Sequence, residues 1–108
     1  MAKPNPVFVA LADPTRRIIL EALRQGGQTA GNIAALFAVS WPAISRHLRI
    51  LKTAGLIWET RDGRTRHYEL NQAALRPVMN WLAQFSIDSI PAVPASPEPK
   101  FMGREYTS

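Results

Sequence analysis

Arginine and hydroxyl side chains are concentrated in the middle of the chain. Ser45, Arg46 and Arg49 lie within five residues, and the segment Ala38–His67 carries six basic and two acidic side chains, a net charge of +4. The other 78 residues carry seven basic and six acidic side chains, a net charge of +1. Arginine can bond guanine O6 and N7 or a phosphate, and serine can bond either. The pattern indicates a surface that binds a polyanion.

Composition excludes several other kinds of chemistry. The chain has 108 residues, the length of one domain, and no cysteine, which excludes disulfides, thiolate metal sites and a thiol nucleophile. Its two histidines, His47 and His67, are too few for a zinc site without carboxylates. It has no Ser/His/Asp arrangement and no glycine-rich phosphate loop, so we expect neither an enzyme nor a cofactor. Without an apolar run near 18 residues or a signal peptide, we expect a soluble cytoplasmic protein.

Apolar periodicity and capping residues predict five helices. The first four are a short helix after Pro6, Pro14 to about Gln25, Ala30 to Phe37, and a helix from Ser40 to Ala54-Gly55. The last should run from Gln72 to about Ser89, with Asn71 as its N-cap. Pro77 either belongs to a displaced first turn of that helix or kinks it.

A β-hairpin separates the fourth and last helices. Leu56–Arg61 and Thr65–Leu70 are rich in β-forming residues, and Asp62-Gly63 between them is a hairpin signal. The three-residue turn Ala38–Ser40 between the third and fourth helices is typical of a helix-turn-helix. The order α-α-α-α-β-β-α therefore predicts a mainly α winged helix-turn-helix, with the basic hairpin as its wing.

We expect one domain over residues 1–90 and a tail over residues 91–108. The tail contains Pro91, Pro94, Pro97 and Pro99 and little periodic hydrophobicity, which predicts a disordered or extended segment. Phe101 and Tyr106 could dock on a partner, although a solvated tail is the favoured interpretation.

The fourth helix has two chemically different faces. Ile44, Leu48 and Leu51 form a buried stripe, and Arg46 and Arg49 lie on the opposite face, which fits the DNA major groove. Trp41 lies at the margin of the buried side, where packing is favoured over a DNA contact. His47 is either a phosphate contact or a neutral edge residue. The candidate DNA-binding residues are Ser40, Trp41, Pro42, Ser45, Arg46, His47, Arg49, Arg61, Arg64 and Arg66.

The arginines of the hairpin have two interpretations. Charged side chains can protect an exposed strand edge from aggregation, but that role does not need a single sign of charge. Arg61, Arg64 and Arg66 beside the basic helix favour a wing on the phosphate backbone or in the minor groove. Two further arginines, Arg16 and Arg17, open the second helix, where they are unfavourable with the helix dipole. A phosphate contact or an ion pair with Glu21 could compensate, and the ion pair is favoured.

The first and last helices carry more apolar surface than a domain of this size easily buries, which favours a homodimer through these helices. Completion of the monomer core would explain about half of these side chains. The candidate dimer residues are Val7, Phe8, Leu11, Val78, Trp81, Leu82 and Phe85.

Three segments together resemble the ArsR/SmtB-type bacterial transcription regulators. They are Ala10–Leu23 with its Asp-Pro-Thr-Arg-Arg sequence, Val39–Ile57 with its Ser-Arg-His-Leu sequence, and Gly63–Leu70. The resemblance covers about residues 5–88. It implies a homodimeric winged-helix repressor that dimerises through its first and last helices and binds an inverted repeat in promoter DNA, often its own.

The chain departs from the metal-sensing members of that family. Where those sensors carry a Cys-x-Cys-like element, this chain has Thr29 and Gly31, and its last predicted helix has no histidine and a single acid, Asp88. The resemblance is therefore to the branch without metal sites, whose signals are often unknown, and it leaves the effector of this chain unknown. The alternative hypothesis is a winged-helix module that binds protein, which should carry exposed apolar groups on the outward face of the fourth helix.

Overall fold

The computed structural model describes residues 3–85, which form five α-helices, three strands and one 3-10 turn. The helices are α1 (Pro6–Leu11), α2 (Pro14–Leu23), α3 (Ala30–Ala34), α4 (Trp41–Thr53) and α5 (Arg76–Leu82). The strands are β1 (Gln28–Thr29), β2 (Ile57–Asp62) and β3 (Thr65–Leu70). α5 ends at Leu82 and residues 83–85 are not helical, so the expectation that the last helix runs to about Ser89 is wrong. The tail over residues 91–108, with Phe101 and Tyr106, lies outside the described residues. Within residues 3–85 no helix is long and apolar enough to cross a membrane.

Short polar residues fix the starts of the first four helices. Each accepts a backbone N–H of its helix, which satisfies a donor that has no partner inside the helix. The four caps are Asn5 to Val7 at 2.8 Å, Asp13 to Arg16 at 3.1 Å, Thr29 to Asn32 at 3.1 Å, and Ser40 to Ala43 at 3.4 Å. Proline lies in the first turn of α1, α2 and α4, where its missing N–H costs nothing.

The third helix is shorter than its sequence predicted. It ends at Ala34 rather than Phe37, and Ile33 is its buried residue. Leu36 is exposed, and Phe37 is half-buried against the core. Ending α3 early places Leu36 in the turn that leads to α4.

The hairpin forms as predicted, with one additional strand. β2 and β3 pair antiparallel with Asp62 opposite Thr65, which leaves Gly63-Arg64 as a two-residue loop. Gly63 has φ +65°, a conformation that glycine adopts without steric cost, at the first loop position as in a type II′ turn. The sequence did not predict β1, which pairs with β3 on its other side and gives the order β1-β3-β2.

The start of the last helix resolves the two interpretations of Pro77. Residues Gln72–Leu75 form a 3-10 turn, and α5 begins at Arg76, so Pro77 lies in the first turn of a displaced helix and does not kink it. Asn71 is not the side-chain cap that we expected. Its Nδ2 donates instead to the Gly55 carbonyl at 2.8 Å, which joins the end of β3 to the exit of α4.

One hydrophobic core holds α4 against the other helices and the sheet. Its buried residues are Val7, Ala10, Ile19, Leu20, Leu23, Ile33, Ile44, Leu48, Leu51, Leu56, Ile57 and Tyr68. The three residues from α4 are those of the predicted stripe. With this face buried, the rest of α4 and the tip of the hairpin are left on the outside of the domain.

Candidate nucleic-acid interface

The face of α4 opposite the core is polar and basic. Ile44, Leu48 and Leu51 are buried, whereas Pro42, Arg46 and Arg49 are exposed and Ser45 is half-buried. The only acidic group that contacts α4 side chains from the hairpin, among residues 3–85, is Glu59. The arrangement therefore gives α4 an outward surface rich in hydrogen-bond donors.

The wing adds arginines on the same side as α4. Arg61 lies directly opposite Arg66 in the β2–β3 register. Because side chains alternate along a strand, Arg66 shares a face with Tyr68, which is buried in the core. Two like charges opposite each other are unfavourable, and the neighbouring Glu59 carboxylate offsets them in part. Arg64, in the two-residue loop, is exposed.

Two recesses join the helix and the wing. A crevice of about 110 Å³ is bounded by Ser45, Arg49, Lys52, Glu59 and Arg66, with Leu48 and Tyr68. A more open groove of about 390 Å³ runs between Trp41 and the wing residues Arg64, Thr65 and Arg66, with Thr29, Ala30 and Gly31 beside it. The structure thus brings three candidate residues of α4 together with two of the wing, namely Trp41, Ser45 and Arg49 with Arg64 and Arg66. Arg46 and Arg61 line neither recess.

Glu59 is a residue of this surface that sequence reasoning missed. Its Oε1 accepts a hydrogen bond from Lys52 Nζ at 2.8 Å, and its Oε2 lies 3.7 Å from Arg66 Nε. The Lys52 ammonium, followed by the charges of Lys52, Arg66 and Arg61, lowers the pKa of the Glu59 carboxyl below its ordinary value. Strand alternation could have found it, because Glu59 is two residues before Arg61 and so shares its face.

Arg16 and Arg17 do not form the ion pair with Glu21 that the sequence favoured, and within residues 3–85 neither is paired with that carboxylate. Arg16 is buried, with 9% of its surface exposed, and its guanidinium donates to the carbonyls of Ala10 at 2.8 Å and Val9 at 3.1 Å. Arg17 Nη1 donates to the Leu11 carbonyl at 2.7 Å. Both arginines thus bind the carboxyl end of α1, where positive charge is favourable.

The side chain of His47, on α4, faces the start of α2. Its Nδ1 is 3.2 Å from Arg16 Nη1 and 3.9 Å from Asp13 Oδ2. The pKa of Asp13 is lowered, chiefly by the hydrogen bond from the Arg16 backbone N–H and also by the Arg16 guanidinium. His47 is therefore bonded inward through one ring nitrogen and is not a free edge residue.

Trp41 corrects another expectation, since it does not pack into the core. The side chain is 45% exposed and borders the groove beside Arg64. Its position next to the wing makes it available to a ligand of this surface. Ser40, in contrast, uses its hydroxyl to cap α4.

The candidate dimer residues separate into two groups. Val7 belongs to the core, and Leu11 and Val78 are half-buried against it. Phe8, Trp81, Leu82 and Phe85 are exposed, and we call these four the aromatic surface. Trp81 lies edge-on to both rings, with centroids 6.0 Å from Phe8 and 5.1 Å from Phe85. α1, α5 and Phe85, which follows α5, thus form one exposed apolar patch.

Metal-ligating groups are sparse in the described part of the chain. No group of three or more His, Asp or Glu side chains there is arranged to hold a metal ion. Thr29 and Gly31, which the family resemblance matched to the Cys-x-Cys-like element of metal sensors, lie beside the groove next to Trp41. Thr29 uses its hydroxyl to cap α3.

A helix-turn-helix whose second helix exposes a basic face, followed by a basic β-hairpin, defines a winged helix-turn-helix DNA-binding protein. Comparison with known proteins agrees. Residues 13–58 match the arsR family of bacterial regulatory proteins. The chain is 48% identical over 81 residues to the transcriptional repressor SdpR of Bacillus subtilis, covering 75% of this chain and 90% of that protein.

Solved structures show the same fold. The crystal structure of an ArsR family transcriptional regulator superposes with a TM-score of 0.71 at 35% identity, covering 74% of this chain and 88% of that one. A homodimeric winged helix-turn-helix DNA-binding domain from Mycobacterium bovis superposes with a TM-score of 0.62 at 25% identity, covering 82% and 85%. The chain belongs to the ArsR family and is a DNA-binding transcriptional regulator, not an enzyme.

Proposed function

We propose that this regulator is a homodimeric repressor that binds an inverted-repeat operator, its own promoter among its targets, without sensing a metal. The observation that carries the proposal is the shared crevice in which Ser45 and Arg49 of α4 face Arg66 of the wing. In this arrangement α4 would read base edges in the major groove while the wing binds phosphate. A protein that binds promoter DNA in a bacterial cell would act in the cytoplasm, and we therefore expect a cytoplasmic location.

The aromatic surface supports the dimeric part of the proposal. Its four side chains are exposed in the monomer, and exposed apolar patches of this kind mark interfaces. The relative from Mycobacterium bovis with the same fold is homodimeric. A twofold axis through this surface would set the two α4 helices about 34 Å apart, or a multiple of it, and so require a palindromic site.

Metal independence rests on the chemistry of the residues present. Thr29 and Gly31 offer no soft ligand, and the chain has no cysteine at all. Repression would then be set by protein concentration or by an effector other than a thiophilic metal.

Footprinting on DNA upstream of the protein's own gene tests the proposal. The full chain at micromolar concentration should protect two half-sites related by a twofold axis, equally with a chelator and with added Zn²⁺. The double variant Arg46→Ala, Arg49→Ala is the matched control, because it lacks the two arginines expected to contact base edges and should not protect the half-sites. Absence of any protected segment would overturn operator binding upstream of the gene, and release of DNA by Zn²⁺ would overturn metal independence.

A further inference from the structure

Arg16 connects the end of α1 to α4 through one buried guanidinium. Its Nε donates to the Ala10 carbonyl at 2.8 Å and its Nη2 to the Val9 carbonyl at 3.1 Å, both in α1. Its Nη1 lies 3.2 Å from Nδ1 of His47 in α4. With the first two bonds fixed by α1, the third N–H is held in one place facing His47.

The chemistry of this contact determines where the His47 proton sits. A guanidinium has five donors and no acceptor, so Nδ1 of His47 must accept and carries no hydrogen. In a neutral imidazole the proton is then on Nε2. Asp13 Oδ2 does not compete for Nδ1, because it lies 3.9 Å away, beyond hydrogen-bond distance, and already accepts the Arg16 backbone N–H at 3.1 Å.

The Nε2–H of His47 has no acceptor within residues 3–85, where Arg16 is the hydrogen-bond partner found for the ring. The side chain is 21% exposed and follows Arg46 on the helix that carries the basic face. An N–H donor at such a position is suited to a DNA phosphate oxygen. Being neutral, it would strengthen binding without releasing a counterion, unlike an arginine.

We propose that Arg16 is a positioning residue that holds His47 as the Nε2–H tautomer, so that α4 presents a neutral, pre-oriented donor to a DNA phosphate. The proposal rests on the DNA binding described under Proposed function. It gives the Asp-Pro-Thr-Arg segment a role in recognition, although Arg16 itself is buried and touches no DNA.

The tautomer is measured directly, without DNA, by long-range ¹H–¹⁵N NMR of the imidazole rings in the full chain. We expect His47 to be the Nε2–H form. His67, in β3, is the internal control, since no arginine in residues 3–85 donates to it. The Arg17→Ala variant, which loses a bond to the same end of α1, should leave the His47 signals unchanged. A His47 ring protonated on Nδ1 would overturn the proposal.

Binding measurements test the phosphate donor. His47→Ala should weaken binding to operator and to scrambled DNA alike, by about threefold to tenfold, with an unchanged salt slope. His47→Gln should recover most of the loss, because its amide nitrogen carries a donor near the position of Nε2. Arg16→Ala should weaken binding similarly and add little to His47→Ala, since both remove one coupled donor.

Each part can fail separately. If Arg16→Ala does not fold, the NMR of the unaltered chain and the two His47 variants still decide the proposal. Binding by His47→Ala equal to that of the unaltered chain would overturn the phosphate contact. If the unaltered chain bound no DNA, DNA binding itself would fail, whereas the tautomer measurement would still report on Arg16.

Discussion

Phe8 of α1 and Trp81 of α5 meet edge to face, with ring centroids 6.0 Å apart and planes at 80°. The contact joins the first helix to the last described one within a single protomer. Edge-to-face aromatic pairs add about 0.5–1.5 kcal/mol beyond burial of their area. The aromatic surface is therefore organised before a second copy binds, and little ordering entropy should be lost on association.

Replacing Trp81 by alanine should shift the protein from dimer to monomer. An interface tryptophan of this kind contributes about 2–4 kcal/mol when truncated, enough to move a micromolar dimer mostly to monomer. Sedimentation velocity at micromolar protein measures the change. The control is Trp58→Ala, because Trp58 is 55% exposed on β2 and outside the aromatic surface. An unaltered chain that sediments as a monomer would contradict the symmetric arrangement.

Arg46 and Arg49 should determine sequence preference. Alanine at either position should reduce discrimination between operator and scrambled DNA by about 1–3 kcal/mol if the contact is bidentate to guanine. Fluorescence anisotropy with both DNAs gives the ratio. Arg24→Ala removes an exposed arginine at the end of α2 and should leave the ratio unchanged. A residue whose loss preserves the preference does not read bases.

Arg64 should contribute equally to the affinity for operator DNA and for scrambled DNA. As the exposed arginine of the two-residue loop, it is positioned for phosphate, and alanine should flatten the slope of log affinity against log salt by about 0.9. The measurement is a salt titration with scrambled DNA. Lys3→Ala, which removes an exposed charge near the other end of the described chain, is its control. Unaltered non-specific affinity would argue against a phosphate-binding wing.

The Glu59 carboxylate should weaken the binding of the protein to non-specific DNA. Its carboxylate is bound to Lys52 and lies 3.7 Å from Arg66, so Glu59→Gln frees two cations beside the crevice. We expect tighter binding to scrambled DNA and a salt slope steeper by about 0.9 for each new phosphate contact. Glu69→Gln removes the same charge from an exposed position on β3 and is the comparison. An unchanged slope would show that neither cation becomes available.

The same carboxylate should make stability depend on pH. The pKa of Glu59 is lowered from its ordinary value of 4.5, so its contribution is present above that pH and is lost as the pH falls through the lowered value. Glu59→Gln should therefore cost about 0.5–1 kcal/mol at neutral pH and less in acid. Urea unfolding of both proteins, at neutral pH and in acid, measures the difference in the free energy of unfolding. A cost that is equal at both would exclude the ion pair as its cause.

Local rules were sufficient for most of the helices. Asp13, Thr29 and Ser40 cap α2, α3 and α4, and the predicted stripe from Ile44 to Leu51 faces the core, because caps and periodicity depend on neighbours along the chain. Strand β1 was missed since its two residues gain their conformation from Tyr68 and His67, far along the sequence. Its neighbours, Gly26-Gly27, indicate a break rather than a strand.

The candidate site was predictable in its charges and not in its hydrogen bonds. The arginines of α4 and the wing could be assigned from the helix face and the hairpin turn. The partners of Arg16 could not, because they come from α1 and from His47, 31 residues away in α4. The same holds for Glu59, whose pairing with Lys52 depends on how the hairpin packs against α4.

The acid in the crevice has a consequence for how quickly an operator is found. A regulator meets a vast excess of DNA that is not its target, and time spent there delays arrival. By engaging Lys52 and lying close to Arg66, Glu59 leaves fewer free cations for arbitrary phosphates, so each unproductive encounter ends sooner. We therefore expect this one carboxylate to shorten the search.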